Sequence, residues 1–373
     1  MRERIAEEIE AAGGAIGFDR YMELALYAPG LGYYVNGRRR FGRAGDFVTA
    51  PEISPLFSLC LARQVAECLD RLDGGEVLEV GAGSGRMAAD LLAGLAELDA
   101  LPARYLILEV SPDLRATQAA TLAESVPALA GRVEWLDGLP GSGWHGVVLG
   151  NELLDAMPVH RFRRTADAWQ ELFVERSGVG FADRWAAPSS PGLAPALAAI
   201  WPADAPPATG YSSEVNLRLA PWLRAVSAAL GRGYLLLIDY GYTGHEYYHP
   251  ERAQGTLVCH FRHRVYSDPY RLPGLQDMTA NVDFSALARA GRAAGMALAG
   301  FTTQAHFLID TGLDELIGAS DPSDMRRHLA LVQGAKQLVL PGEMGERFKV
   351  MALARDADTR LRGFRTRDLG QRL

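Results

Sequence analysis

The sequence predicts an α/β protein built on a seven-strand, mostly parallel, doubly wound sheet, with an N-terminal helical cap and large insertions. Short apolar runs recur along the chain, and turn or polar residues follow each of them. Segments with helical periodicity separate the first of these runs. A glycine-rich turn also joins the first run to the helix after it, as in parallel sheets that bind ligands at their strand ends.

Each predicted strand is a run of five to nine mainly apolar residues. Helix-like stretches at 86–98 and 113–130 separate the first three runs, and such alternation indicates parallel pairing. Further helices are predicted at 1–12, 18–27 and 53–72. The predicted strands are 76–80, 104–110, 132–136, 146–150, 233–241, 296–301 and 348–354.

These patterns divide the chain into a cap, a core and insertions. The cap is predicted at 1–72 and includes a long loop rich in Gly and Arg. The insertions follow predicted strand ends and are expected to form a substrate or lid subdomain. The core is assigned to 73–161 and 209–241 with 296–303 and 347–355, and the insertions to 162–208, 242–295 and 304–346.

Composition excludes several classes of protein. The chain has 38 Lys and Arg against 45 Asp and Glu, a net charge of −7, so binding to nucleic acid is not expected. No apolar run approaches the roughly 18 residues of a membrane helix. The acid-rich N-terminus is unlike a transit peptide. Cys60, Cys68 and Cys259 are scattered, which predicts a reducing, cytoplasmic location without disulfides.

The stretch "EVLEVGAGSGR" places Gly81, Gly83 and Gly85 between a strand and a helix. Glycine permits a tight turn and close approach of a ligand to the backbone. The third glycine of a dinucleotide-binding fingerprint would fall at Arg86, which weakens that interpretation. The pattern E-x-G-x-G-x-G, beginning at Glu79, is instead typical of class I methyltransferases, which have a Rossmann-like fold and use S-adenosyl-L-methionine. An acid there suits the cofactor's ammonium group.

Acidic residues also end the next two predicted strands. Glu109 can accept hydrogen bonds from both ribose hydroxyls of the cofactor. Asp137, followed by Gly138, stands where methyltransferases commonly bind the adenine amino group. Acids at successive strand ends beside the glycine turn predict one cofactor site rather than unrelated solvated turns.

The fourth strand ends in the acidic stretch "GNELLDAMP". If a helical turn begins here, Asn151 is its N-cap and Glu152 and Asp155 share one face. Two carboxylates on one face can hold a guanidinium by charge-assisted hydrogen bonds, and one can accept the proton lost on methylation. Helix-capping acids without a catalytic role are the simpler alternative.

Other polar clusters receive structural interpretations. Arg38, Arg39, Arg40 and Arg43 are interpreted as a solvated loop. The residues His245, His249, Cys259, His260 and His263 cluster along the chain, but no second pair matches the spacing of zinc ligands, so no metal site is predicted. They are expected to line a solvent-filled substrate cleft.

Taken in order, seven motifs resemble the MidA-type family of S-adenosyl-L-methionine-dependent methyltransferases. The resemblance spans nearly the whole chain, which makes it more specific than a glycine motif alone. The motifs are "GDFVTAPEIS" (45–54), "LEVGAGSG" (78–85), "LEVSPDLRATQ" (108–118), "GNELLDAMPVHRF" (150–162), "LLLIDYGY" (235–242), "GLQDMTANVDF" (274–284) and "TQAHFL" (303–308).

The resemblance implies a loop from Asp46 to Glu52 that folds over the active site, with Thr49 and Pro51 near the cofactor. It implies Glu152 and Asp155 as the acids nearest the substrate. Mitochondrial members of this family are protein-arginine methyltransferases that assist assembly of respiratory complex I. The chain departs from the family pattern at Ser58, at Leu153 and Leu154, and at Asn281, where relatives often have His.

We therefore predict an S-adenosyl-L-methionine-dependent methyltransferase that modifies arginine in a protein substrate, such as a complex I subunit or its bacterial equivalent. Methylation of a small molecule at N or O is the first alternative. An assembly factor that binds the cofactor without catalysis is the second, and an oxidoreductase is a distant third. The sequence makes no prediction about oligomeric state.

Overall fold

The computed structural model describes residues 1–37, 48–321 and 323–373. The arginines of the predicted solvated loop and Asp46 lie outside the described residues. The helices of the described part are α1 (Arg2–Ala11), α2 (Phe18–Tyr27), α3 (Ala50–Ile53), α4 (Pro55–Arg71), α5 (Arg86–Glu97), α6 (Pro112–Ser125), α7 (Leu193–Ile200), α8 (Leu219–Ala229), α9 (Gly244–Tyr247), α10 (Phe284–Ala293), α11 (Gln304–Asp310), α12 (Leu313–Gly318) and α13 (Met325–Val339).

The strands of the described part belong to three sheets. They are β1 (Ala15–Gly17), β2 (Glu76–Val80), β3 (Tyr105–Leu108), β4 (Val133–Leu136), β5 (Trp144–Asn151), β6 (His160–Arg164), β7 (Trp169–Ser177), β8 (Gly180–Ala186), β9 (Ser212–Val215), β10 (Leu230–Tyr242), β11 (Val258–Phe261), β12 (Arg264–Tyr266), β13 (Asp277–Thr279), β14 (Val282–Asp283), β15 (Ala297–Thr303) and β16 (Phe348–Arg355).

The chain divides into two compact units. One, called here the sheet unit, comprises Arg39–Leu153, Leu223–Gly241 and Leu287–Leu373. The other, called the insertion unit, comprises Met1–Arg38, Leu154–Trp222 and Tyr242–Ala286. This division groups α4 and residues 304–346 with the sheet rather than with the predicted cap and insertion.

The main path of the central sheet follows the order β15-β16-β10-β5-β2-β3-β4. Strand β2 is parallel to both neighbours, with Val77 opposite Tyr105 on β3 and opposite Val147 on β5. Strand β16 is antiparallel to β10 and to β15, so the sheet is mixed. The carboxyl ends of β2, β3, β5 and β10 therefore open at one edge, where open α/β sheets bind ligands.

The core of the sheet unit is apolar and closely packed. Its side chains come from both strands and helices and are fully or almost fully buried. Examples are Val77, Leu149 and Leu236 on the strands, Leu61 on α4 and Leu91 on α5. Burial of a side chain of this size stabilises the fold by about 2 kcal/mol. This core makes the strand ends that carry the acidic residues a rigid edge.

Local sequence signals explain where the helices beside the site begin. Ser54 accepts a hydrogen bond from Leu56 N at 3.3 Å, and Pro55 occupies the first turn of α4. Ser111 likewise accepts one from Leu114 N at 3.4 Å at the start of α6. Both are N-caps followed by proline, which fixes the point of helix entry.

The insertion unit contains two antiparallel sheets. One has the order β1-β7-β6-β9 with β8 beside β7, and the other has the order β12-β11-β13. Phe162 on β6 is fully buried against an aromatic group that includes Trp169 and Trp201, with ring centroids 5.5 and 5.7 Å from its own. Strands β6, β7 and β8 pair antiparallel in succession within this unit.

The helical turn predicted at 151–157 is wrong. Asn151 is the last residue of β5, opposite Ile238 on β10, so it is not an N-cap. Glu152 N then donates to Ile238 O at 2.9 Å, which continues the sheet hydrogen bonding where a helix would have to start. Glu152 and Asp155 therefore do not share a helix face.

Within the described ranges, no helix combines the length and the apolar composition needed to cross a membrane.

Candidate active site

The glycine turn after β2 requires glycine at all of its predicted positions. Gly81, Gly83 and Gly85 have φ of 72°, 53° and 81°, in the left-handed region that other residues rarely adopt. A Cβ on Gly85 would lie 2.9 Å from Gln118 Cα. Gly81 is exposed, so its backbone is open to a ligand.

A carboxylate from α3 fixes this turn. The Ser84 hydroxyl donates to Glu52 Oε1, and its oxygen accepts from Arg86 N at 3.3 Å. On the other side, Thr121 Oγ1 donates to Ser84 O at 2.8 Å. Thr49 is the N-cap residue of α3, and Pro51 is buried in it, so both lie on the segment that reaches the turn through Glu52.

Glu79 is a buried acid beneath the turn. It is 1% exposed, and Tyr105 OH donates to its Oε2 at 2.5 Å. Burial raises the pKa of Glu79 from 4.5 to about 7, and the nearby charge of Glu109 acts in the same direction, while the Tyr105 hydrogen bond lowers it. Glu79 is therefore protonated in much of the folded population below pH 7.

This raised pKa makes stability depend on pH. Between about pH 4.5 and 7 the folded state binds more protons at Glu79 than the unfolded state, so stability is lost as pH rises. The full effect is roughly 3 kcal/mol, from about 1.4 kcal/mol per pKa unit. Denaturant titrations between pH 5 and 8 should show a larger loss of stability in the wild type than in Glu79→Gln, in which only the other buried acids, such as Glu109, still contribute. Tyr105→Phe should steepen it, and equal slopes in all three would contradict the assignment.

Gln118 on α6 links the glycine turn to Glu109. Its Nε2 donates to Gly83 O and to Glu109 Oε2, both at 3.1 Å, and its Oε1 accepts from Trp135 Nε1 at 2.9 Å. Glu109 Oε1 accepts from Ser111 N at 3.0 Å. Burial raises the pKa of Glu109, yet a carboxylate with two oxygens retains lone pairs for further donors.

Replacement of Gln118 by Leu should lower the free energy of unfolding by about 3 kcal/mol, because Gly83 O and the Trp135 N–H would lose their partner inside the protein. Thr117→Ala, on the exposed side of the same helix, is the matched control and should change stability by less than about 0.5 kcal/mol. Urea denaturation measures both. A Gln118→Leu protein as stable as the control would show that this bridge contributes nothing.

Asp137 and Gly138 lie on the surface after β4. The Asp137 side chain is 94% exposed, and its Oδ1 accepts from Arg115 Nη2 at 2.7 Å. A Cβ on Gly138 would have open space around it. Next to Glu109, Val110 is 70% exposed, an unusual position for a large apolar side chain.

Glu152 has an unusual backbone conformation. Its φ is 49°, a conformation that costs a residue with a Cβ about 1–2 kcal/mol. Asn151 Nδ2 donates to Glu152 Oε1 at 3.4 Å. Asn151 Oδ1 is buried and has no hydrogen-bond partner among the described residues. The end of β5 thus presents an oriented carboxylate.

Asp155 belongs to the insertion unit. It is 4% exposed, and its main-chain oxygen accepts from Ala280 N at 3.0 Å. Sequence patterns found Glu152 and Asp155, and the family resemblance named Glu52 as the end of its loop, but Gln118 and Val110 were missed. Both lie inside the motif at 108–118, which was the available signal for them.

A second polar cluster, in the insertion unit, has a structural role. Glu171 Oε1 accepts from Ser190 Oγ at 2.5 Å and lies 3.0 Å from His160 Nδ1. Against the effect of burial, these hydrogen bonds lower the pKa of Glu171 to about 2. Ser190 Oγ also meets His160 Nδ1, at 3.2 Å, so serine and acid share one ring nitrogen. A hydrolase triad places them on opposite nitrogens, and this arrangement therefore does not activate the serine.

The three cysteines are buried free thiols, and burial raises the pKa of Cys60 and Cys259 to about 12. Reactive cysteines have lowered pKa values, so these thiols pack in the structure without nucleophilic character. In the part of the chain that the structure describes, no group of three or more His, Cys, Asp or Glu residues could hold a metal ion.

Comparison with known proteins connects these features to a chemistry. The family model described as "Putative S-adenosyl-L-methionine-dependent methyltransferase" matches residues 60–302. Protein arginine methyltransferase NDUFAF7, mitochondrial, from Rattus norvegicus is 30% identical over 381 residues, covering 91% of this chain and 81% of that protein. The protein of the same name from Homo sapiens is 30% identical over 379 residues, covering 91% and 80%.

A protein from Burkholderia thailandensis, whose crystal structure was solved with bound S-adenosyl-homocysteine, superposes on this chain with a TM-score of 0.95 at 44% sequence identity. The superposition covers 100% of this chain and 96% of the chain from Burkholderia thailandensis.

Proposed function

Because this chain belongs to the family of S-adenosyl-L-methionine-dependent methyltransferases whose model it matches, we propose that it methylates an arginine nitrogen in a protein substrate. The cofactor predicted from the sequence is confirmed. Arginine as the acceptor is supported by the names of the relatives at 30% identity and by the oriented carboxylate of Glu152. Family resemblance makes a respiratory complex I subunit, or its bacterial equivalent, the first substrate to test.

The residues at the strand ends fit the cofactor. The open backbone at Gly81, with Gly83 and Gly85, would hold the amino-acid end, and buried Glu79 would lie beneath it. Glu109 would accept the ribose hydroxyls, and exposed Val110 offers an apolar surface for a flat adenine ring. The remaining proposed cofactor contacts are Thr49, Pro51, Asp137 and Gly138.

The observation that carries the proposal is Glu152, held at φ 49° at the end of β5. The bound cofactor supplies a sulfonium methyl group. We assign Glu152 to hold the guanidinium by charge-assisted hydrogen bonds, so that one nitrogen lone pair faces that methyl. The nitrogen–carbon bond forms as the carbon–sulfur bond breaks, and its electron pair stays on sulfur. The proton released from nitrogen goes to Glu152 and then to solvent.

The experiment is a transfer assay with tritiated cofactor on an extract from cells that lack this protein. Labelled protein bands are hydrolysed, and the labelled amino acids are identified by chromatography. The proposal predicts radioactive methylarginine. Label found only in a small molecule would favour the alternative substrate class, and tight cofactor binding without transfer to any acceptor would favour a non-catalytic assembly factor.

A further inference from the structure

Aromatic and acidic side chains from distant parts of the chain meet inside the insertion unit. The rings of Tyr27 and Tyr34 stack with centroids 5.4 Å apart and an interplanar angle of 21°, and Tyr33 packs edge-on to Tyr34 at 5.1 Å. Tyr34 OH donates to Asp277 Oδ1 at 2.9 Å, and Tyr27 OH donates to Ala156 O at 2.9 Å. We call Tyr27, Tyr33, Tyr34, Asp155 and Asp277 the tyrosine–aspartate cluster.

The two aspartates of this cluster act on the same tyrosine. Asp277 is 3% exposed and Asp155 is 4% exposed. Burial raises the pKa of Tyr34 well above its usual value of 10, and the charges of Asp277 and, more weakly, Asp155 raise it further. Tyr34 therefore stays protonated and donates to Asp277. The cluster has a firm hydrogen-bonded frame that places two buried carboxylates near aromatic rings.

A separate observation on β13 points to a ligand. Thr279 is 3% exposed, and its Oγ1 has no hydrogen-bond partner among the described residues. Asp277 and Thr279 lie two positions apart on β13, so their side chains project from the same face of that strand. A buried hydroxyl without a partner is costly, and a ligand with N–H groups would satisfy it.

We propose that Asp277, Thr279 and Tyr34 form a binding subsite for the guanidinium of the substrate arginine, together with Asp155; this inference rests on the proposed function. A guanidinium has five N–H donors in one plane, which can reach two carboxylates and a hydroxyl at once. Its flat face also packs on aromatic rings. A lysine ammonium has only three donors and no flat face.

Covalent geometry connects this subsite to the carboxylate of the proposed transfer step. Asp155 follows Glu152 by three positions, so their Cα atoms lie within about 11 Å whatever the conformation between them. Asp155 of the subsite and Glu152 of the proposed transfer step therefore lie on one short chain segment. Asp277 and Thr279 are assigned as positioning residues, which hold the arginine without taking its proton.

The test uses the full chain saturated with S-adenosyl-homocysteine. Calorimetric titration compares the peptide acetyl-Gly-Gly-Arg-Gly-Gly-amide with the same peptides containing citrulline or lysine. We expect the arginine peptide to bind at least about tenfold more tightly than either, since a hydrogen bond to a charged group contributes about 1.5–3 kcal/mol. Asp277→Asn should reduce this preference about tenfold without changing affinity for S-adenosyl-homocysteine. Asp167→Asn, an exposed aspartate of the same unit, is the control.

Two milder variants keep the test decisive if Asp277→Asn does not fold. Thr279→Val and Tyr34→Phe each remove one hydroxyl and should each reduce the preference for arginine over citrulline by about threefold. An unchanged preference in both would overturn the subsite, while methylarginine in the transfer assay would still support the proposed function. Failure of the wild type to prefer arginine, with no methylarginine formed, would overturn both.

Discussion

Replacement of Glu152 by Gln is expected to lower kcat/KM for arginine methylation by about 10³-fold. The amide has nearly the shape of the carboxylate but neither its charge, which would hold the guanidinium, nor its basicity, which would accept the proton. General-base and electrostatic contributions of this kind are each typically about 10²–10⁴-fold. Affinity for S-adenosyl-homocysteine should change by less than about twofold. Steady-state transfer kinetics, with tritiated cofactor and the acceptor protein identified in the extract, and calorimetry with S-adenosyl-homocysteine measure the two quantities.

Two further variants separate this role from folding. Glu97→Gln changes an exposed acid at the end of α5 and should leave kcat/KM unchanged. Glu152→Gly suits the φ of 49°, so it should raise stability by about 1 kcal/mol while abolishing transfer. Activity in Glu152→Gln above one-third of the wild-type value would remove Glu152 from the reaction.

The second large effect is expected from Gly85→Ala. An alanine at φ 81° is strained, and its Cβ would lie 2.9 Å from the backbone of Gln118 on the neighbouring helix. Left-handed strain of about 1–2 kcal/mol and overpacking of similar size together predict a loss of about 3 kcal/mol in stability. Because the same shift displaces the glycine turn, affinity for S-adenosyl-homocysteine should fall by more than about tenfold.

Gly131→Ala is the matched control for this substitution, because a Cβ on Gly131 meets open space and its φ is not left-handed. It should change neither thermal stability nor calorimetric affinity by a measurable amount. Gly85→Ala binding as tightly as Gly131→Ala would contradict the assignment of this turn to the cofactor.

Local patterns were sufficient to predict most elements of the sheet. The run at 76–80 coincides with β2 because a glycine pair precedes it and the glycine turn follows it. The helix predicted at 18–27 coincides with α2. The helix predicted at 113–130 ends early, at Ser125. Pro127 explains this, because the residue before a proline is driven out of the helical conformation, and Val126 has φ of −139°.

The arrangement of side chains at the site depended on contacts that sequence periodicity does not contain. The backbone conformation at Glu152 is determined by β10, because the Ile238 carbonyl of that strand extends the sheet hydrogen bonding past Asn151. Tyr34 and Asp277 are 243 positions apart and meet only through the folding of the insertion unit. The sequence pattern of α6 does not distinguish Gln118 from the polar residues beside it. Only the packing of this helix brings the Gln118 side chain to Gly83 and Glu109. The cytoplasmic location and the roles of individual site residues stay predictions.

We propose that the carboxylate at the end of β5 faces the methyl donor across a bound guanidinium. The decisive measurement is a crystal structure of this protein with S-adenosyl-homocysteine and the arginine peptide. A carboxylate–guanidinium hydrogen bond is about 2.8 Å long, and the attacking nitrogen should lie about 3–3.5 Å from the position of the methyl carbon. We therefore expect a Glu152 carboxylate oxygen within about 8 Å of the sulfur. A Glu152 side chain directed away from the sulfur, with the arginine bound elsewhere, would contradict the account.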